Sequence, residues 1–328
     1  MQKGSPSVPD LDRDPLQCRI ELPYRRTLHP LGFPAVIESN SSDVISSLEE
    51  SWSRFQPGFD ATAVRLSVVV SHAETQAPLP PPVFRSRRHM LAVTADAANF
   101  ASCDLNSGYA CSWVTSLTVA DKVYLRDSFT EAPLLAMLST RHLTPFHAAC
   151  VVRDGIGVLL AGDSGSGKTS LAFACALRGW SLLCDDASFL VRGAGGRTVV
   201  GNPFLMRFKP EARPLFPELG ERSAVPRTNG KPTIHLRTAD FPQILAVQQA
   251  EPRYLIFLRR GAHGNASLVR RHEDSLHLLG LPDFGDPKDI AEQRISLQRL
   301  RGLGAFDFHY SGFDDAVERL GLLLRQGG

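Results

Sequence analysis

Over residues 34–116 short apolar runs, β-branched at 64–70 and loosely alternating over 89–116, set the pattern. Residues 34–39, 64–70 and much of 89–116 therefore read as strands. Asn106-Ser107-Gly108 breaks the last of these into an antiparallel meander. One stretch keeps a different rhythm. Val44, Ile45, Leu48, Trp52 and Phe55 recur at helical spacing behind Ser41-Ser42-Asp43, which offers an N-cap. Four prolines in residues 77–83 make that piece a loop or a sheet edge. Residues 1–17 are polar, hold three prolines and read as a loose arm. Residues 120–141 read as largely helical, with Leu134, Leu135, Met137 and Leu138 as apolar positions. Residues 18–140 together read as an α+β module, and no chemical motif stands out in it.

From residue 141 onward strands and helices alternate. Residues 148–153 and 156–161 are apolar runs joined by Asp154-Gly155, a hairpin turn signal. A helical run over 170–178 ends at Gly179, where a C′ glycine belongs. The apolar run 180–184 ends in Asp185-Asp186. Residues 188–192 and 197–200 flank Gly193-Ala194-Gly195-Gly196 as a second hairpin. In residues 204–209 Arg207 and Lys209 share one face of an alternating strand, as substrate contacts or as a solvated face. Five prolines in 210–232 point to a mobile surface loop, placed to close over a site. Strands follow at 244–247, 254–258, 266–270 and 305–310, with helices at 289–301 and 313–325. The fold class is α/β (α+β). Because the strand at 156–161 is one arm of a hairpin, a mixed sheet is expected, not a doubly wound parallel one.

Composition narrows the partners. The 328 residues are 43% hydrophobic and 21% charged, with a net charge of +2. That leaves room for two domains and gives no bulk electrostatic case for nucleic acid or membrane. Arginines do cluster at Arg85, Arg87 and Arg88, and at Arg259, Arg260, Arg270 and Arg271, where solvated faces are the simpler reading. None of the six cysteines forms C-x-x-C or zinc-ligand spacing, and Cys150, Cys175 and Cys184 read as small buried hydrophobes. A reduced cytoplasmic setting is expected. The first residues carry no apolar signal core.

The chemistry sits between the first hairpin and the helix. Gly162-Asp163-Ser164-Gly165-Ser166-Gly167-Lys168-Thr169 fits G-x-x-x-x-G-K-[ST], the P-loop pattern. Its glycines let the backbone curl so that successive N–H groups point at phosphate oxygens, at a helix N-terminus that favours negative charge. Lys168 adds a point charge toward the β- and γ-phosphates, and the Thr169 hydroxyl can ligate Mg²⁺. Asp163 and Ser164 shape the loop. Asp185-Asp186, at the end of the next strand, can orient a hydroxyl and hold a metal, or simply cap a turn.

Phe146-His147-Ala148-Ala149, the loop 162–169 and Leu183-Cys184-Asp185-Asp186 form one block. It resembles HPr kinase/phosphorylase, a bacterial protein-serine kinase related in fold to phosphoenolpyruvate carboxykinase. The resemblance covers residues 142–200 and is absent from the N-terminal module. It implies that Asp185 is the carboxylate that takes the acceptor's proton, that Asp186 stands near the metal, and that His147 lies close to the transferred phosphate. ATP and Mg²⁺ are the implied cofactors, and an oligomer is the implied assembly. The family's E-x-R-G signature has no acidic counterpart in residues 202–209. That speaks against a reverse phosphorylase activity and against HPr as partner. The expected function is γ-phosphate transfer to a serine or other hydroxyl on a protein or peptide. The alternatives are a kinase of a small hydroxylated metabolite, a nucleotide-binding regulatory or assembly protein without transfer, and an ATPase.

Overall fold

The computed structural model describes residues 20–72, 78–193, 195–226, 230–261, 263–272, 276–280 and 284–326. The arm read over residues 1–17 lies outside them. The first sheet comprises β1 (Tyr24–Leu28), β2 (Ala35–Ser39), β3 (Val64–Ser71), β4 (Val83–Arg87), β5 (Met90–Thr94), β6 (Phe100–Asp104) and β7 (Tyr109–Thr115), in the order β1-β2-β3-β7-β6-β5-β4. The expected meander is β5-β6-β7, antiparallel throughout, whereas β3 pairs parallel with β2 and β7. Alternating residues Ile37, Leu66, Val68, Ala110 and Val114 face the core. They pack with Val44, Leu48 and Trp52 of α1 (Ser42–Trp52) and with Leu134, Met137 and Leu138 of α4 (Glu131–Arg141).

The helical stretch before α4 is broken into α2 (Ser116–Ala120), α3 (Lys122–Leu125) and a π-turn (Arg126–Thr130). Asp121 causes the first break, because its side chain accepts from the Tyr124 N–H and starts a new helix. The apolar core of this half also takes in Leu143, Phe189, Val191 and Val200 from segments further along the chain.

The rest of the chain contributes β8 (Leu143–His147), β9 (Ala149–Arg153), β10 (Ile156–Ala161), α5 (Lys168–Leu177), β11 (Ser181–Cys184), β12 (Ala187–Val191), β13 (Val199–Gly201) and β14 (Leu205–Phe208). There follow β15 (Ala224–Pro226), β16 (Pro232–Arg237), β17 (Leu245–Ala246), β18 (Gln249–Ala250), β19 (Pro252–Arg260), β20 (Ser267–Arg270), α6 (Pro287–Leu297), β21 (Gly304–Tyr310) and α7 (Phe313–Gln326). The central sheet runs β17-β11-β9-β10-β19-β21-β20. Its β9-β10 hairpin is antiparallel and turns at Asp154 and Gly155, with φ of 51° and 76°, while β10-β19 and β19-β21 are parallel. The sheet is therefore mixed, and the chain is a mixed α/β protein.

Both faces of the central sheet are buried. Val158, Leu160, Ile256 and Phe308 meet α5 and α7, while Leu159, Leu183, Leu255 and Phe257 meet Phe146, Leu190, Leu279 and Leu297. Helix α5 is enclosed on every side, and Leu171, Ala172, Phe173, Ala174, Cys175 and Ala176 are all buried. An enclosed helix needs no polar stripe, and this one has none. Burial pushes the Cys150 and Cys175 thiols up to about 12, so both stay protonated and inert.

Residues 210–232 differ from the free surface loop that their prolines predicted. Pro210 and Pro217 open 3₁₀ turns, Pro210–Leu215 and Pro217–Leu219, where a fixed φ is an advantage. These turns bury Ala212, Phe216 and Leu219 against α5. Phe173 meets Phe208, Phe216 and Phe241 edge-on, with centroids 5.2, 5.1 and 5.8 Å away. The turns are thus anchored in the core and do not form a lid; residues 227–229 lie outside the described set. No helix among the described residues is long and apolar enough to cross a membrane. Phe173→Ala should destabilise the protein by about 3–5 kcal/mol. Chemical denaturation measures it, and a loss under about 1 kcal/mol would show that these rings do not anchor the turns.

Candidate active site

The loop between β10 and α5 owes its shape to three glycines. Gly162, Gly165 and Gly167 have φ of 144°, 93° and 97°, a region side chains avoid. Close approach adds a second constraint at two of them. A Cβ on Gly162 would lie 2.8 Å from Ser166 Oγ, and one on Gly167 would overlap the Tyr310 hydroxyl. Tyr310, at the end of β21, donates to the Ser166 carbonyl at 3.2 Å and so ties the loop to the central sheet. Inside the loop the Ser166 N–H bonds the Asp163 carbonyl at 3.0 Å.

The remaining donors are free. The backbone N–H groups of Gly165, Gly167, Lys168 and Thr169 bond no described group, and the buried Ser166 Oγ has no partner either. Lys168 folds back over the loop, donating to the Gly162 carbonyl at 2.7 Å and the Asp163 carbonyl at 3.3 Å. Burial lowers its pKa from the ordinary lysine range, opposed first by Asp186 and then by Asp163. Lys209 arrives from beyond β14 and donates to Ser164 Oγ at 3.3 Å. A curl of free N–H groups, an unpartnered hydroxyl and two ammonium groups is a donor set that suits phosphate oxygens.

The carboxylates stand beside this loop. β11 ends at Cys184, and the Thr169 hydroxyl donates to the Asp185 carbonyl at 3.4 Å. Asp185 is only 6% exposed. Burial raises its pKa to about 6, opposed by the Arg207 N–H, which donates to its Oδ2 at 2.8 Å. Asp186 is half-buried. His147 lies exposed at the end of β8, in register with Ala187 of β12, and a Cβ on Gly280 would sit 3.4 Å from its ring. The structure thus gathers Lys168, Thr169, Asp185 and Asp186, and leaves His147 at the rim of the Asp185-Asp186 corner. Among the described residues no three His, Cys, Asp or Glu side chains form a metal cluster. A divalent ion here would rest on Thr169, Asp186 and a bound phosphate together, which is how Mg²⁺ is commonly held.

Two contributors carry no signal in the sequence. Tyr310 is there only the last residue of the strand read over 305–310, and Arg207, read as a substrate contact or a solvated residue, acts instead through its backbone N–H. The Arg207 side chain turns the other way, 3.8 Å from Asp127 and close to Glu131. Burial pushes the Glu131 carboxyl above the usual range, against Ser51 and Arg207. The N-terminal half therefore touches the strand that holds Asp185. Phe55 meets Phe204 edge-on at 5.0 Å, and the Gln248 amide bridges the Arg54 carbonyl and the Gln56 N–H.

No family model matches the chain, and no curated protein matches it. Among solved structures it is similar to the Hpr(Ser) kinase/phosphatase from Coxiella burnetii, at 18% identity and a TM-score of 0.31, over 56% of this chain and 99% of that one. A distant likeness of that size assigns no activity to this chain.

The raised pKa of Asp185 has a thermodynamic sign. Below the unfolded value, about 3.9, its protonated form adds stability, and this is lost as pH rises through about 6. Asp185→Asn should therefore stabilise the fold above pH 7 by roughly 1–3 kcal/mol, with the gain vanishing toward pH 4. Thermal unfolding across that range tests it, and an equal or lower stability at neutral pH would show that ionised Asp185 carries no burial cost.

Proposed function

We propose that this chain is a Mg²⁺-dependent kinase that moves the γ-phosphate of ATP to a hydroxyl, most simply a serine on a protein or peptide. One observation carries the reading. A curl of unpaired N–H groups and Lys168 stands beside a buried carboxylate whose pKa lies just below neutrality. Phosphoryl transfer asks the protein for positioning and electrostatics, and this corner offers both.

The residues divide the work as follows. The N–H groups of Gly165, Gly167, Lys168 and Thr169, with the Lys168 ammonium, hold the β- and γ-phosphates. Asp163, Ser164 and Ser166 keep the loop in register, and Gly162 gives it room. Thr169 and Asp186 would hold Mg²⁺, which would supply charge neutralisation at the phosphate oxygens. Asp185, ionised at neutral pH, accepts the proton of the incoming hydroxyl as its oxygen bonds the γ-phosphorus and the bond to the β-phosphate oxygen breaks. His147, at the rim, stands near the transferred group. Residues 141–328 carry this chemistry, and the 18–140 module braces it through Arg207.

Asp185→Asn separates binding from transfer. It should lower transfer to a serine-bearing acceptor by about 10²–10⁴-fold while leaving ATP affinity nearly unchanged. Equal loss of both would contradict the role of base, and bound but never transferred nucleotide in the unaltered protein would favour a regulatory nucleotide-binding protein. The pH profile is a second check. Because the base works only when ionised, kcat should fall about tenfold per pH unit below about 6. A profile flat down to pH 4.5 would exclude Asp185 as the base.

A further inference from the structure

Strand β4 closes the first sheet, and no described strand lies on its outer side. All five of its residues are exposed. A two-residue turn at Arg88, with φ of 53°, joins it to β5 and sets Arg87 opposite Met90. In a hairpin of that length the pairs Arg87–Met90, Arg85–Ala92 and Val83–Thr94 exchange the ladder hydrogen bonds. The N–H and C=O groups of Phe84 and Ser86 then point outward, and no described group takes them.

The side chains along this edge are equally unengaged. Arg25, Arg26, Arg65, Arg126 and Arg178 each pair with a carboxylate. Arg85, Arg87 and Arg88 form no ion pair with any described residue. Beside them are apolar groups open to solvent, Val83 at 49% and Met90 at 39% on the arginine face of the hairpin and Phe84 at 43% on the other. Arginines on an edge often serve only to stop sheets from pairing. They do so here against a second copy of the chain, whose own arginines would face them. Against an acid-bearing strand they are no barrier, and β4 holds neither a bulge nor a proline.

We propose that β4 is a docking edge for an extended acidic segment of a partner protein, added as the next strand of the first sheet. Its carboxylates would alternate with apolar residues, the acids on the Arg85 and Arg87 side and the apolar groups on the Phe84 side. Arginines near aromatic rings also mark surfaces for single-stranded nucleic acid. Here Phe100 and Trp113 stack on each other at 6.3 Å, and the free groups are a row of backbone donors and acceptors that bases do not pair with. The proposal rests on the first sheet alone and stands apart from the kinase reading.

Fluorescence anisotropy with the full chain tests it, using a labelled decapeptide that alternates Glu and Val. The peptide should bind, and more weakly as salt is raised. A Lys-Val decapeptide and an oligouridylate should bind about tenfold more weakly or worse. Arg85→Glu with Arg87→Glu should cut Glu-Val binding by about tenfold or more. Ser86→Pro keeps every charge and removes only an outward N–H, and it should do the same. Circular dichroism confirms that each variant is folded, and the charge variant stands alone if Ser86→Pro is not. No binding of the Glu-Val peptide, binding that the charge variant leaves unchanged, tighter binding of the oligouridylate, or dimerisation through this edge seen in sedimentation would each overturn the proposal.

Discussion

The backbone N–H groups of Gly165, Gly167, Lys168 and Thr169, in the turn into α5, have no acceptor among the described residues. Several such donors converging at a helix N-terminus suit an anion. The glycines at 162, 165 and 167 hold the curl open. Tyr310 pins it through the Ser166 carbonyl, and the burial of α5 on all sides fixes the helix whose first-turn N–H groups have no partner within the helix. Lys168 meanwhile spends its ammonium on loop carbonyls, where an incoming phosphate oxygen would replace them.

The same enclosure sets the acid next to the loop. Asp185 follows the last residue of a strand buried on both faces, and burial raises its pKa to about 6, opposed first by the backbone N–H of Arg207. Arg207 belongs to β14, and its guanidinium reaches Asp127 and Glu131 in the N-terminal half. The module without a chemical motif thus bears on the site through the position of one strand. The N–H that opposes the burial of Asp185 is held in place by that strand.

Much of this was legible in the residues. The hairpin at Asp154-Gly155 announced a mixed sheet, because a strand that arrives by a tight turn must pair antiparallel with its predecessor. The loop glycines and the apolar run of α5 were equally plain, since both are local requirements. What escaped was non-local. β1 shows no alternation because Tyr24, Arg25 and Arg26 are all exposed at a sheet edge. The prolines at 210, 214 and 217 suggested mobility, yet Phe216 between them finds Phe173, a partner only the tertiary fold supplies. Tyr310 reaches the loop from a strand distant in sequence, which spacing along the chain cannot show, whereas Lys209 was among the candidate contacts that the alternation offered.

Amide hydrogen exchange with and without ATP and Mg²⁺ shows whether the N–H groups of the 162–169 loop face a phosphate chain. Nucleotide should slow exchange markedly at Gly165, Gly167, Lys168 and Thr169, with the largest protection at those residues. Exchange there that is unchanged at saturating nucleotide, or protection that appears elsewhere and spares this loop, would contradict a phosphate chain there.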